Sequence, residues 1–343
     1  MKMHTNRITL VLLYLFLSTP IACAHTPFGS NNENNTIESA IEFSDPTKSW
    51  TMYRELHEAQ EVEYYRLHPK PGEKFQFNVS TPRCVDPTSI PNAFAMWPGI
   101  AEKNNVPNFV EVPVGYSASV INGVRPSSPE YEAFTPASYY FVVKYAQSIQ
   151  QEGDYYFAVY EPDSGGKYNL AIGYVEEFTA IEWLKIPFDV LTIHIWEGQS
   201  LLMILAPLLL TLIIGFLFLQ TKYKLSFELA TSLGVLAGLL YTGTGLMTMF
   251  QMILATSGAT QTDMIPLTLI FAVIPIILGV LILRKIINHK DSWSISDHLA
   301  IVVLRALGLV FWAGLIAGPI FIMTLGLLPP WHRHARISVQ KFS

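Results

Sequence analysis

LLMILAPLLLTLIIGFLFL, residues 201–219, carries no charged side chain. As a helix rising 1.5 Å per residue it spans roughly 28 Å, close to the ~30 Å of bilayer hydrocarbon. Further along the chain, 229–254 and 264–283 are equally free of charge, and 299–328 holds one, Arg305. These four stretches predict an all-α, four-helix transmembrane domain over 199–328, followed by a short tail, 329–343. Lys222 and Lys224 separate the first two stretches; Arg284, Lys285 and Lys290 separate the last two. The connection between the second and third has Asp263 and no Lys or Arg. Basic connections stay in the cytoplasm, so the chain before 199 and the tail are expected outside.

The N-terminus agrees independently. Lys2 and Arg7 precede an apolar run, Ile8 to Leu17, then Pro20 and a small-x-small site at Ala22-Cys23-Ala24. This is the pattern of a secretory signal peptide over 1–24. An acylated Cys23 or an uncleaved anchor are the other readings, and each exports the next domain. There, Cys84 stands alone, so no intramolecular disulfide is available. The net charge of -5, with no Lys/Arg run, excludes nucleic acid as a partner.

Residues 25–178 read as β structure. Glu61 to Leu67 is a strand with Val62, Tyr64 and Arg66 on one face; Phe75, Phe77 and Val79 alternate inward on the next. A Pro-rich stretch, 81–136, reads as irregular. Asp154 to Tyr160 and Tyr168 to Ile172 alternate around a Pro/Gly loop and read as a hairpin, with Tyr155, Phe157, Val159, Tyr168, Leu170 and Ile172 inward. Many short strands and turn-rich joints predict a β-sandwich or jelly roll. Residues 179–198, with Trp183, Phe188 and Trp196 among apolar positions, read as an interfacial linker broken by Pro187.

The run NNTIESAIEF, then EVEYYRLHPKPGEKFQFNVSTP, then GDYYFAVYEPDSGGKYNLAIGY resembles the bacterial pre-peptidase C-terminal domain family over about residues 31–175. The resemblance implies a small extracytoplasmic β-sandwich with a binding or accessory role, and it carries over no catalytic residues.

Several residues invite chemistry. If cleavage follows Ala24, His25 becomes the mature N-terminus, where α-amino and imidazole nitrogens together chelate Cu(II). A second imidazole could come from His57, His68, His332 or His334. Met247, Met249 and Met252 offer soft thioethers suited to Cu(I), although gap-filling in a helix bundle is the simpler role. Arg305 is an intramembrane charge, a functional candidate unless it snorkels to the interface. His57-Glu58-Ala59-Gln60-Glu61 lacks the second His of a zinc-protease motif, and no nucleophile elbow is present.

The sequence therefore predicts a non-enzymatic surface protein whose β domain binds an extracytoplasmic protein or envelope ligand above a bilayer anchor. Copper handling and small-solute transport are the alternatives. A topology reporter fused behind Gln220 should read cytoplasmic and one behind Ser343 external; the opposite reading at either position contradicts this arrangement.

Overall fold

The computed structural model describes residues 26–27, 33–83, 90–98, 103–104, 106–224, 228–260, 263–288 and 295–327. The signal peptide, His25, Cys84 and the tail histidines lie outside the described residues. The chain forms two compact units: one holds everything to Gln199 plus Met252–Thr268, the other Ser200–Gln251 and the chain from Leu269.

The first unit contains β1 (Thr26–Pro27), β2 (Ile41–Phe43), β3 (Trp50–Leu56), β4 (Val62–Leu67), β5 (Lys74–Pro82), β6 (Asn92–Pro98), β7 (Lys103–Asn104), β8 (Tyr116–Ile121), β9 (Glu130–Glu132), β10 (Ala137–Ser148), β11 (Tyr155–Tyr160) and β12 (Gly166–Ile172). They make two six-stranded sheets, ordered β1-β3-β12-β5-β10-β9 and β2-β4-β11-β6-β8-β7. The pairs β1/β3, β2/β4 and β7/β8 are parallel and the other pairings antiparallel, so both sheets are mixed.

The alternating residues form the core as expected. Phe75, Phe77, Val79, Tyr168, Leu170 and Ile172 of the first sheet meet Tyr65, Leu67, Tyr155, Phe157 and Val159 of the second. The ring of Phe157 stacks on Phe77 at 4.6 Å and on Tyr65 at 4.9 Å. Such ring pairs add about 0.5–1.5 kcal/mol each beyond the area they bury.

The hairpin reading is corrected. β11 pairs with β4 and β6, while β12 pairs with β3 and β5, so consecutive strands lie in opposite sheets. Inward alternation is the same whether two strands pair side by side or face each other across a core. The connecting loop decides between them. Glu161 folds its carboxylate back to accept the backbone N–H groups of Asp163 (2.8 Å), Ser164 and Gly165 (3.0 Å). Gly165, at φ +91°, carries the chain across beside the backbone of Leu56, where a Cβ would sit 2.6 Å from that carbonyl.

The stretch 81–136 is likewise more regular than its prolines suggest: β6, β7, β8 and β9 fall there, and β6 is an inner strand. Its neighbours also cover the second sheet's outer face. Val106, Phe109, Val110 and Val112 pack on Val62, Tyr64, Tyr156 and Tyr160. β4 and β11 are thus buried on both faces, which is why 155–160 reads as a continuous apolar and aromatic run.

The linker is a continuous helix, α1 (Ala180–Trp196), and Pro187 does not break it. Thr179 and Glu182 form a capping box at its start, and Glu182 also pairs with Lys48 at 2.8 Å. Met252–Thr268 belongs to this same unit. Arg83 donates to the carbonyls of Leu254 (3.5 Å) and Ser257, where a cation meets the negative end of a helix. Thr260 donates to Pro129 at 2.9 Å, and the hydroxyls of Tyr131 and Thr268 meet at 2.7 Å.

The second unit is helical, with α2 (Leu201–Tyr223), α3 (Leu229–Thr256) and α4 (Ile265–Asn288) each long and apolar enough to cross a membrane. The fourth stretch is corrected: 299–328 is not one helix. α5 (Ile295–Val310) and α6 (Ala317–Leu327) are separated by a turn at 311–316 with positive φ at Trp312, Gly314, Leu315 and Ile316. Gly308 and Gly318 leave room there for the ring of Tyr241, which a Cβ at either position would strike at 1.9 and 2.5 Å. Thr244 Oγ1 accepts the N–H of Gly314 at 2.9 Å, so the break keeps that backbone donor satisfied.

Burial raises the Glu182 carboxyl, but bonds from Lys48 and Thr179 outweigh it and hold the group below its ordinary 4.5. A depressed acid contributes stability above its unfolded pKa and loses it as pH falls through the folded value. Glu182→Gln keeps a capping acceptor but loses the charge. It should lower stability by about 0.5–1 kcal/mol at neutral pH, the deficit shrinking as pH falls below the ordinary 4.5 and vanishing once the folded carboxyl is protonated, as read by thermal unfolding across pH.

Candidate functional site

Glu63 is the one acid on a strand whose neighbours are almost entirely apolar or aromatic. Its place on β4 sends it to the same face as Tyr65 and Leu67, between the sheets, where its side chain is 6% exposed. An isolated carboxylate there would be costly, and three side chains compensate it. Arg54 of β3, in the opposite sheet, donates through Nε (3.0 and 3.1 Å) and Nη2 (2.6 Å). Tyr65 Oη donates at 2.8 Å, and Tyr168 of β12 donates to the same oxygen. Burial, reinforced by the neighbouring negative charge, pushes both tyrosine hydroxyls well above their usual range, so they remain donors. Arg54 Nη2 also donates to Asn34 Oδ1 at 2.8 Å, and Asn34 Nδ2 donates to the carbonyl of Tyr64 at 3.0 Å.

Above this floor a half-open cleft of about 490 Å³ faces outward. Glu33, Glu55 and Glu61 stand around it with Asn35 and His57, and Tyr53 and Trp196 form one wall. Trp196 closes α1 and is fixed by its Nε1–H, which donates to the carbonyl of Arg54 at 3.1 Å, and by edge contact with Tyr53 at 5.1 Å. Lys167 Nζ donates to the Trp196 carbonyl at 2.8 Å.

The same turn of α1 holds a second buried polar group. Glu197, 7% exposed, accepts from Tyr139 Oη at 2.6 Å and from His194 Nδ1 at 2.9 Å. Tyr139 is pushed well above its usual range by burial and then by the charge of Glu197. Glu132 accepts from the N–H groups of Phe134 (2.9 Å) and Thr135 (2.7 Å); burial raises its carboxyl against those bonds. The Glu197 contacts hold the helix end that carries Trp196.

The residues singled out by sequence are placed separately. His57 is exposed on the cleft rim, beside Gln60 at φ 66°, with its ring Nδ1 3.4 Å from Glu61. His68 is exposed near Asp154 (3.0 Å) and Glu152 (3.7 Å), and the Asp154 bond raises its imidazole. Each imidazole therefore faces a carboxylate. Among the described residues no group of three His, Cys, Asp or Glu side chains could hold a metal. Met247 is buried in α3, Met252 is half-buried one turn on, and Arg305 is half-buried in α5. Sequence reasoning missed Arg54, Glu63 and Trp196. For Glu63 a signal existed, since alternation through Glu61 to Leu67 puts it on the face opposite Val62 and Tyr64, with Tyr65.

The floor offers no chemistry of its own, because the donors around Glu63 engage both of its oxygens. The rim offers charge and ring faces. Comparison with models of known protein families and with curated proteins found no match.

Proposed function

We propose that this chain is a non-enzymatic, multi-pass membrane protein whose β domain, a pre-peptidase-like sandwich, stands outside the cytoplasm and binds a basic segment of an extracytoplasmic protein in the cleft over Glu63. The observation that carries this reading is the lining itself: four carboxylates (Glu33, Glu55, Glu61, Glu63) against one guanidinium, beside two aromatic rings. Glu63 and Arg54 neutralise each other, so the rim carboxylates set the sign of the cleft. Such a site attracts a Lys or Arg side chain by charge and receives it on Trp196 or Tyr53, a contact worth about 0.5–1 kcal/mol where exposed.

The anchor reading draws on three long apolar helices and on the distribution of basic residues in their connections. A fourth crossing would be made by α5 and α6 together, the turn between them lying against Tyr241 and Thr244. Export of the β domain follows from the N-terminal segment and from the same basic connections.

The full-length protein in nanodiscs of zwitterionic lipid should bind a Lys-rich peptide with an affinity that falls as salt rises. Glu55→Gln combined with Glu61→Gln should weaken that binding about tenfold, and an uncharged peptide of equal length should not bind. Equal binding of both peptides, or an unchanged affinity in the double variant, would contradict the proposal.

A further inference from the structure

Arg305 lies on the boundary of α5. Ile301, Leu304 and Gly308 form the buried face of that helix, and Leu299, Val302 and Ala306 are exposed. The guanidinium is half-buried between the two, close enough for its charge to act on the hydroxyl of Tyr241, which approaches the Leu304 carbonyl at 3.5 Å. Among the described residues it makes no ion pair and no hydrogen bond. A charge in an apolar helix without a counter-ion is costly, so an anion from beyond the described residues would stabilise it.

The sequence of this unit narrows the choice. Residues 200–251 and 269–343 contain three carboxylates, Glu228, Asp291 and Asp297, all outside the apolar stretches. Against them stand nine cations: Lys222, Lys224, Arg284, Lys285, Lys290 and Arg305, and in the tail Arg333, Arg336 and Lys341. α3 and α4 run antiparallel in close contact, with Gly238 against Leu283 and Gly279 and Gly245 against Ala272 and Ile276. The end of α4 therefore meets the start of α3, as does the end of α2, with Gly215 against Leu239, so among the described residues Lys222, Lys224, Arg284 and Lys285 gather at one end of the unit against Glu228, a net excess of three. Phe271, early in α4, meets Phe311, just past α5, at 5.4 Å, so α5 starts at that cationic end, and Arg305 leans back toward it because side chains on a helix lean toward its N-terminus.

We infer that Arg305 binds the phosphate of an anionic phospholipid from the adjoining leaflet. A guanidinium presents two parallel donors that match two phosphate oxygens. The surrounding excess of positive charge favours a headgroup without an ammonium, such as phosphatidylglycerol, over phosphatidylcholine. This inference rests on the membrane reading of the helical unit and is independent of the cleft.

The test is native mass spectrometry of the full-length protein in neutral detergent, titrated with phosphatidylglycerol, phosphatidylcholine or free glycerol phosphate. Phosphatidylglycerol should bind about fivefold or more tightly than phosphatidylcholine, and glycerol phosphate should not displace it. Arg305→Gln should weaken phosphatidylglycerol binding about fivefold and Arg305→Lys should retain part of it. Equal binding of both lipids, unchanged phosphatidylglycerol binding in Arg305→Gln, or displacement by glycerol phosphate would overturn the inference. Should Arg305→Gln fail to purify, a photoreactive phosphatidylglycerol on the unaltered protein decides: label on α5 supports the site, and label confined to other helices overturns it.

Discussion

A carboxylate buried between two sheets is the constraint on which the β domain depends. Glu63 belongs to one sheet, while Arg54 and Tyr168 reach it from the other. A one-residue register slip of β3, β4 or β12 within its sheet would turn Arg54, Glu63 or Tyr168 to the wrong face and leave a charge unpaired in an apolar core. Stacked rings such as Phe77 and Phe157 supply cohesion but tolerate small displacements. The ion pair, with its short directional bonds, does not.

The same interaction shapes the surface above it. Because Arg54 is drawn inward to Glu63, the rim of the cleft is left to Glu33, Glu55 and Glu61. The backbone carbonyl of Arg54 then receives Trp196, so the strand that supplies the buried cation also fixes the aromatic wall. Behind that wall Glu197 ties α1 to β10 through Tyr139. Met252–Thr268 joins the unit at Arg83, Pro129 and Tyr131. The domain is therefore bound to chain segments on both sides of the first long apolar helix and its successor.

Much of this was legible in the sequence, where physics acts locally. Uncharged runs announce α2, α3 and α4 because hydrocarbon demands length and apolarity, and the period-two pattern of Phe75, Phe77 and Val79 names core residues because a pleat has two faces. Pairing was not legible: Tyr155–Val159 and Tyr168–Ile172 point inward in either topology, and the loop at Glu161 that separates them depends on one side chain accepting three backbone bonds. The break at 311–316 was hidden because its cause lies on another helix, in the ring of Tyr241. Arg54 and Glu63 stand nine residues apart, and their meeting requires both sheets to be in place.

A double-mutant cycle on Arg54 and Glu63 tests the central claim most directly, with unfolding free energies of the full-length protein measured for Arg54→Met, Glu63→Leu and the pair. Each single change strands a buried partner and should cost about 3–5 kcal/mol, while the double variant should recover much of that loss. Single costs below about 1 kcal/mol that simply add would contradict the account.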